Sequence, residues 1–146
     1  MPEFERSAKV VWEGNLTEGN GTLDSTSGAF SGLPVNWPAR VESSDGRTSP
    51  EELIAAAHAT CYAMAFSNVL AGAGHPPERL EVSAIVSAEL ADGLHVKSSE
   101  LNVTGRVPGL DQSEFERHAL EAERACPISN ALRGGVEIRV NAALAD

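Results

Sequence analysis

The clearest hydrophobic pattern in the chain is an alternation of apolar and polar residues over positions 80–90. Only Ile85 falls out of phase. Such alternation predicts a β-strand with one buried face. A second apolar run, residues 94–107, follows a short turn and changes phase part-way along. That slip of one residue predicts a hairpin whose second strand carries a bulge near residues 98–99.

Shorter β-rich runs lie near both ends of the chain. Turn residues separate residues 9–14 from residues 22–26 and predict a hairpin there. A third strand is expected over residues 39–42, on a weaker pattern. Alternating apolar positions over residues 136–142 predict a last strand close to the C-terminus.

Residues 49–73 predict a long helix with a well-formed start. Ser49 suits the N-cap, Pro50 fits the first turn, and Glu52 completes a capping box. Within this helix, alanine or larger apolar residues point in every direction, so it needs cover on most sides. We expect a second copy of the chain to provide part of that cover in a two-fold homodimer. The alternative is a monomer that wraps its own helix.

Two further helices are predicted before the last strand. One is rich in Glu and Arg; it begins after Asp111 or Ser113 and runs to about Ala125, and Pro127 opens a short third helix. The predicted order is three strands, a helix, two strands, two helices and a strand. This order indicates an α+β fold, with an antiparallel six-stranded sheet around a long central helix, in a single domain of residues 1–146.

Composition and charge narrow the possible functions. The 146-residue chain has a formal net charge of −10 and 42% hydrophobic residues. An acidic surface argues against nucleic acid and anionic membranes as partners. The N-terminal sequence has no apolar signal region, and the alanine-rich segment 53–73 carries polar side chains typical of a core helix rather than a membrane span. We therefore expect a cytoplasmic protein, in whose reducing surroundings structural disulfides are rare.

The chain has two cysteines in different chemical settings. Cys61 lies in the middle of the long apolar helix, where burial raises the pKa of a thiol and leaves it inert unless a cation is brought to it. Cys126 precedes Pro127 at a predicted helix start, whose free N–H groups favour a thiolate. Cys126 is therefore a candidate partner thiol for Cys61. The alternative for both cysteines is that they only fill space in the core.

Histidines allow two other hypotheses. His58 precedes Cys61 by one helical turn, which suggests a Cys–His pair like that of a thiol hydrolase. His58, Cys61, His118 and Cys126 also offer side chains of the types that bind zinc. Their spacing lacks the close pairs typical of zinc motifs. Two side chains on one rigid helix are also seldom aimed at each other for proton transfer, so both hypotheses are weaker than a redox role for the cysteines.

Three segments of the chain together resemble one known family. They are VVWEGNLTEGNGTLDSTSG near the N-terminus, PEELIAAAHATCYAMAF at the long helix, and ACPISNAL in the C-terminal half. Their conjunction is similar to the OsmC/Ohr family, the osmotically inducible and organic hydroperoxide resistance proteins, and more to its OsmC branch. The resemblance covers nearly the whole chain. It implies an OsmC-like α+β fold, an intertwined homodimer with central helices, and an antioxidant role in the response to osmotic or other stress.

The resemblance also implies a cysteine-based thiol peroxidase. The family's peroxidatic cysteine falls on Cys61, its resolving cysteine on Cys126 and its glutamate on Glu51. Its arginine falls on Arg40, with Arg47 as the rival position. The implied reaction reduces organic hydroperoxides, and hydrogen peroxide less well, through a Cys61 sulfenic acid and a Cys61–Cys126 disulfide. An external dithiol, often a lipoylated protein in the family, reduces the disulfide, and no metal or organic cofactor is required.

The spacing of two of these residues constrains the site. Glu51 and Cys61 are ten residues apart, which is about 15 Å along a straight helix. Either the helix is broken, or Glu51 serves Cys61 of the partner subunit, which we favour. The competing function is a non-catalytic dimeric module that binds an apolar ligand, with both cysteines as filler. An arginine and a glutamate beside Cys61 would favour the enzyme.

Overall fold

The computed structural model describes residues 2–145. The elements in chain order are β1 (Ala8–Glu13), β2 (Asn20–Ser25), β3 (Leu33–Val35), α1 (Trp37–Val41), α2 (Pro50–Gly72), β4 (Arg79–Leu90), β5 (Leu94–Arg106), α3 (Gln112–Ala125), α4 (Pro127–Leu132) and β6 (Glu137–Leu144). Tertiary contacts divide the chain into two compact units. The N-terminal unit ends at Leu53, and the C-terminal unit begins at Ile54.

The N-terminal unit contains a three-stranded antiparallel sheet in the order β1-β2-β3. The predicted hairpin is confirmed, since β1 and β2 pair with Ala8 opposite Ser25 and Glu13 opposite Asn20. The third strand, however, lies at Leu33–Val35. The prediction of a strand over residues 39–42 is wrong, because helix α1 occupies those positions.

Local capping explains why α1 is helical. The side-chain oxygen of Asn36 accepts a hydrogen bond from the Ala39 N–H at 2.8 Å, and Pro38 lies in the first turn. Both features stabilise a helix start and leave no N–H at Pro38 for a strand ladder. These signals outweigh the short β-prone sequence that follows.

The C-terminal unit contains the second sheet, in the order β4-β5-β6. Strands β4 and β5 form the predicted hairpin, and their register shifts between Ser87 and Ala88. Ser87 pairs with Ser98 and Ala88 with Val96, so Lys97 is the extra residue of a bulge. The bulge therefore lies one residue from its predicted position.

Two features of the predicted sheet are wrong. The six strands form two three-stranded sheets, not one, and β6 pairs with β5 in parallel rather than antiparallel. The chain between β5 and β6 contains both α3 and α4. Such a helical crossover carries the chain from the end of β5 back toward the end of the sheet where β5 begins, so the next strand runs in the same direction.

Helix α2 is continuous from Pro50 to Gly72. Its predicted N-cap is confirmed, because Ser49 Oγ accepts a hydrogen bond from the Glu52 N–H at 3.1 Å. Four residues at spacings of four form its buried stripe: His58, Tyr62, Phe66 and Leu70. Met64, by contrast, is 69% exposed. Helix α2 is also long and apolar enough to cross a bilayer. This is weak evidence for a membrane span, because core helices share the same length and composition.

Aromatic packing joins α2 to α3 in the core of the C-terminal unit. The ring of Phe66 lies 5.6 Å from that of Tyr62 and 5.0 Å from that of Phe115. The Tyr62 hydroxyl donates a hydrogen bond to the Ala119 carbonyl at 2.8 Å. Gly105 on β5 lets the Phe115 ring approach, since a Cβ there would lie 2.6 Å from it. This core holds the middle of α2 in place.

Candidate active site

An arginine–glutamate pair lies in the N-terminal unit, where α1 and the start of α2 hold it. Arg40 Nε donates to Glu51 Oε1 at 3.0 Å, and Arg40 Nη2 donates to Glu51 Oε2 at 2.8 Å. This is the bidentate geometry in which guanidinium and carboxylate bind each other best. The hydrogen bonds from Arg40 lower the pKa of Glu51, and those to Glu51 raise the pKa of Arg40. Both groups are therefore charged over the physiological pH range.

The two candidate arginines have different partners. Arg47 pairs with the exposed carboxylate of Asp45 at 3.5 Å. Arg40 pairs with Glu51, and its guanidinium carbon also lies 5.9 Å from the centre of the Trp37 ring. A cation near an aromatic face gains a further electrostatic attraction. The arginine that contacts the predicted glutamate is thus Arg40.

An apolar cavity of about 280 Å³ adjoins Arg40 in the same unit. Its walls come from the three-stranded sheet, from α1 and from the start of α2. The lining includes Val10, Trp12, Leu23, Trp37 and Leu53. A cavity of this kind fits a ligand whose apolar part lies within it and whose polar end lies at the guanidinium.

The two cysteines meet in the C-terminal unit. Cys61 is half-buried on α2 and packs against the core cluster that contains Cys126, with the Cys126 thiol and the Ile128 backbone close enough to shift its pKa. Burial raises the pKa of Cys61 and is the largest influence on it. The Ile128 N–H lowers the pKa, while the Cys126 thiol raises it further. None of these three influences is a cation, so this unit alone leaves Cys61 in its thiol form.

Cys126 is fully buried and caps α4, as its place before Pro127 predicts. Its Sγ accepts a hydrogen bond from the Ser129 N–H at 3.5 Å. The short helix therefore fixes the sulfur at its N-terminus, beside the sulfur of Cys61. Two free thiols in contact are the arrangement from which a disulfide forms with little movement.

His58 has a role that its sequence position does not indicate. The imidazole is fully buried, with Nδ1 2.6 Å from Ser99 Oγ and Nε2 2.7 Å from Ser129 Oγ. Burial lowers its pKa, so the ring is neutral at neutral pH. Both nitrogens are occupied by serine hydroxyls and neither points to Cys61, so the thiol hydrolase pair is wrong.

The zinc hypothesis has no geometric support among residues 2–145. His58 offers no free nitrogen to a metal, and His118 Nδ1 lies 3.3 Å from Glu121 Oε1. Within the described part of the chain, no group of three or more His, Cys, Asp or Glu side chains is arranged to hold a metal ion.

Comparison with known proteins identifies the family of this chain. The family described as OsmC-like protein matches residues 43–141. The chain belongs to the OsmC-like family. It is 37% identical to Peroxiredoxin OsmC of Escherichia coli (strain K12), over 92% of this chain and 94% of that protein. It is 32% identical to Organic hydroperoxide resistance protein-like 1 of Staphylococcus saprophyticus subsp. saprophyticus, over 75% of this chain and 77% of that protein.

A solved OsmC structure shares the fold. The organic hydroperoxide resistance protein OsmC of Legionella pneumophila superposes with a TM-score of 0.79 at 26% identity, covering 99% of this chain and 100% of that one. The likenesses confirm the predicted family and the predicted class of thiol-dependent peroxidase. They also confirm an α+β OsmC-like fold, with a long helix and two sheets in place of the predicted single sheet.

The site residues predicted for this OsmC-like chain fall into two contacting pairs. Arg40 contacts Glu51 in the N-terminal unit, and Cys61 contacts Cys126 in the C-terminal unit. Helix α2 is unbroken between Glu51 and Cys61. The broken helix, one of the two alternatives raised by their spacing, is therefore excluded. Three residues around the site were not predicted: Trp37 beside Arg40, Ser129 beside Cys126, and Ser99, which bonds His58. Of these, only Ser129 carries a sequence signal, because it is the N3 residue of a helix capped by Cys126.

Proposed function

We propose that this OsmC-like chain reduces organic hydroperoxides with Cys61 as the attacking thiol. The Cys61 thiolate forms a bond to the terminal peroxide oxygen while the O–O bond breaks, and the alkoxide that leaves takes up a proton to become an alcohol. Cys61 is then a sulfenic acid. The observation that carries the proposal is that two free cysteines, Cys61 and Cys126, lie together in the core of the C-terminal unit.

The same proximity supports the second step. The thiol of Cys126 attacks the sulfenic sulfur, a Cys61–Cys126 disulfide forms, and water leaves with the sulfenic oxygen. An external dithiol then reduces the disulfide and restores both thiols while it becomes a disulfide itself. A lipoylated protein is the class of reductant that the family resemblance implies.

The first step needs a positive charge that the surroundings of Cys61 do not provide. Burial raises the pKa of Cys61, and a guanidinium beside the sulfur would favour the thiolate and polarise the peroxide. Arg40, held by Glu51, is preorganised for this role. Because Glu51 and Cys61 are about 15 Å apart along a continuous helix, we assign the Arg40–Glu51 pair to Cys61 of the partner subunit.

Exposed apolar side chains support the homodimer that this assignment requires. All six residues of β1 are exposed in the single chain, among them Val10, Val11 and Trp12. Leu16 and, on α2, Met64 are also exposed. Large exposed apolar groups mark interaction surfaces. A second copy covers them with a surface of the same kind, which is how two-fold interfaces are built.

The cavity beside Arg40 supports an organic rather than an inorganic peroxide as substrate. Its lining is apolar apart from Arg40 and Asn36. The alkyl group of an organic hydroperoxide loses contact with water there, while its O–O group lies at the guanidinium. Hydrogen peroxide has no alkyl group and gains nothing from these walls, so we expect it to react less well.

Intact-mass analysis tests the proposal directly. The reduced protein is treated with one equivalent of cumene hydroperoxide, and its intact mass is compared before and after treatment. Peptide mapping then locates any link between cysteines. We expect the loss of two hydrogen atoms and a peptide link between Cys61 and Cys126. An unchanged mass over minutes would instead favour a non-catalytic dimeric module with an apolar ligand.

Two serine variants assign the roles of the cysteines. Cys61→Ser should lose dithiol-driven peroxide turnover completely, because no other thiol replaces it. Cys126→Ser should consume about one peroxide per chain and stop as a sulfenic acid, which a second peroxide oxidises further to a sulfinic acid. Turnover retained by Cys61→Ser would contradict the mechanism.

A further inference from the structure

We infer that His58 is a positioning residue that sets the register of α4 on α2, so that Cys126 faces Cys61 and the disulfide forms rapidly. The inference rests on the proposed function, since it concerns the step that joins the two cysteines. It assigns a specific task to the buried His58–Ser129 hydrogen bond, which the chemistry of the peroxide itself does not use.

The register follows from two contacts between the same pair of helices. His58 contacts Ser129, and Cys61 contacts Cys126. On α2, Cys61 comes three residues after His58. At the start of α4, Cys126 comes three residues before Ser129. The two contacts therefore lie one turn apart between antiparallel segments. A fixed His58–Ser129 contact therefore also fixes the position of Cys126 relative to Cys61.

The cap of α4 makes this coupling rigid. Ser129 donates its backbone N–H to Cys126 Sγ while its hydroxyl bonds His58 Nε2. One residue thus connects the imidazole and the sulfur. Helix α4 has six residues, too few to be stable in isolation, so contacts with the rest of the unit fix its position, and the His58–Ser129 bond joins it to α2. A slip of α4 would carry Cys126 away from Cys61 without unfolding the C-terminal unit.

The imidazole is anchored on its other side by the sheet. Nδ1 lies 2.6 Å from Ser99 Oγ on β5, and Ser99 and Ser129 are both fully buried. A neutral imidazole has one donor and one acceptor, and each serine hydroxyl can take either part. His58 therefore joins β5, α2 and α4 through two satisfied hydrogen bonds and carries no charge into the core.

The register role predicts a kinetic effect limited to one step. Oxidation of Cys61 by peroxide does not require Cys126, so its rate should stay within about twofold when the His58–Ser129 bond is removed. Formation of the disulfide requires the two sulfurs to meet in the geometry of an S–S bond, so it should slow about tenfold, the effect of one lost buried hydrogen bond.

A matched pair of serine variants tests this prediction. Ser129→Ala and Ser99→Ala each remove one buried hydroxyl from the same imidazole, so both lower stability, but only Ser129→Ala frees α4. The reduced full-length proteins are mixed with cumene hydroperoxide and quenched over time. Intact mass then separates thiol, sulfenic acid trapped by dimedone, and disulfide. We expect accumulated sulfenic acid in Ser129→Ala and wild-type resolution in Ser99→Ala.

Two substitutions of His58 itself provide an independent test. Glutamine places its amide at about the reach of Nε2, whereas asparagine reaches only to about Nδ1. His58→Gln should therefore resolve the sulfenic acid at close to the wild-type rate, and His58→Asn should resolve it about tenfold more slowly. This pair answers the question even if an alanine variant fails to fold.

The outcomes separate this inference from the proposed function. If the wild-type protein forms no Cys61–Cys126 disulfide, the proposed function is wrong. If the wild type forms it but Ser129→Ala and Ser99→Ala resolve at equal rates, fast or slow, the register role is wrong. Slower oxidation of Cys61 in Ser129→Ala alone would also overturn it, since His58 would then act on the peroxide step.

Discussion

The two units of the chain solve opposite electrostatic problems. In the N-terminal unit, Arg40 and Glu51 are charged, half-exposed and locked to each other by two hydrogen bonds. In the C-terminal unit, burial disfavours charge on Cys61 and His58, which lie with the buried Cys126 in or against the core. One unit thus has a fixed cation without a nucleophile, and the other has a nucleophile that burial keeps protonated.

This difference explains why a dimer suits the chemistry. A buried thiol resists stray oxidation because it is not a thiolate. In the proposed dimer, a guanidinium from the second subunit creates the reactive thiolate only in the assembled protein. The continuous helix α2 keeps Glu51 and Cys61 of one chain apart, and in the proposed dimer the two halves of the site meet across the two-fold axis.

Removing the cation should have the largest effect. In Arg40→Met, the second-order rate with cumene hydroperoxide should fall about a hundredfold, the usual cost of losing one preorganised charge at a transition state. The pH profile of Cys61 alkylation should also move to higher pH, because the cation lowers the pKa of the thiol. Stopped-flow peroxide consumption and iodoacetamide labelling measure the two effects.

Arg47→Met is the matched control for this experiment. Arg47 pairs with the exposed carboxylate of Asp45, so its loss should leave the rate within about twofold. A large loss in Arg47→Met with a small one in Arg40→Met would reverse the assignment of the site arginine.

Loosening the cation should have a smaller effect than removing it. Glu51→Gln keeps a hydrogen-bond acceptor for Arg40 but loses the charge that holds the guanidinium in its bidentate geometry. The rate with peroxide should fall about tenfold, the equivalent of one charged hydrogen bond. The neighbouring exposed glutamate provides the control: Glu52→Gln should react like wild type. Equal rates in all three proteins would remove Glu51 from the site.

The smallest effect concerns stability in the uncharged unit. The pKa of His58 is lowered below 6.5 in the folded protein, so between the folded and unfolded pKa only the unfolded chain binds the proton. The free energy of unfolding should therefore rise with pH through this window and fall as the pH drops below about 6.5, by at most about 1.4 kcal/mol per pH unit. Urea unfolding from pH 5 to 7 measures it. His58→Gln should show a shallower slope, and an identical slope would contradict a buried neutral His58.

Local signals in the sequence predicted much of this structure. The N-cap at Ser49, the N-cap at Cys126 and the alternation along β4 are each determined by neighbours within a few residues, and all three are present. The positions of both cysteines relative to helix starts followed from the same signals. The arginine–glutamate contact was expected only through the family resemblance, which places both residues in one site.

Contacts between distant parts of the chain were not predictable in this way. His58 meets Ser99 and Ser129 across separations of 41 and 71 residues, and nothing near His58 signals either partner. The parallel direction of β6 likewise depends on how α3 and α4 cross the sheet, not on the strand's own pattern. Helix α1, by contrast, has local signals, the Asn36 cap and Pro38, that point to a helix. The predicted strand over residues 39–42 did not take them into account.

Complementation between two inactive variants tests the central claim most directly. Cys61→Ser and Arg40→Met are co-expressed with different tags, and the heterodimer is isolated by both. If Arg40 of one subunit serves Cys61 of the other, the heterodimer contains one complete site and should show about half the wild-type rate with cumene hydroperoxide. A heterodimer no more active than its parents, or the failure of the two chains to co-purify, would contradict a site shared across the dimer.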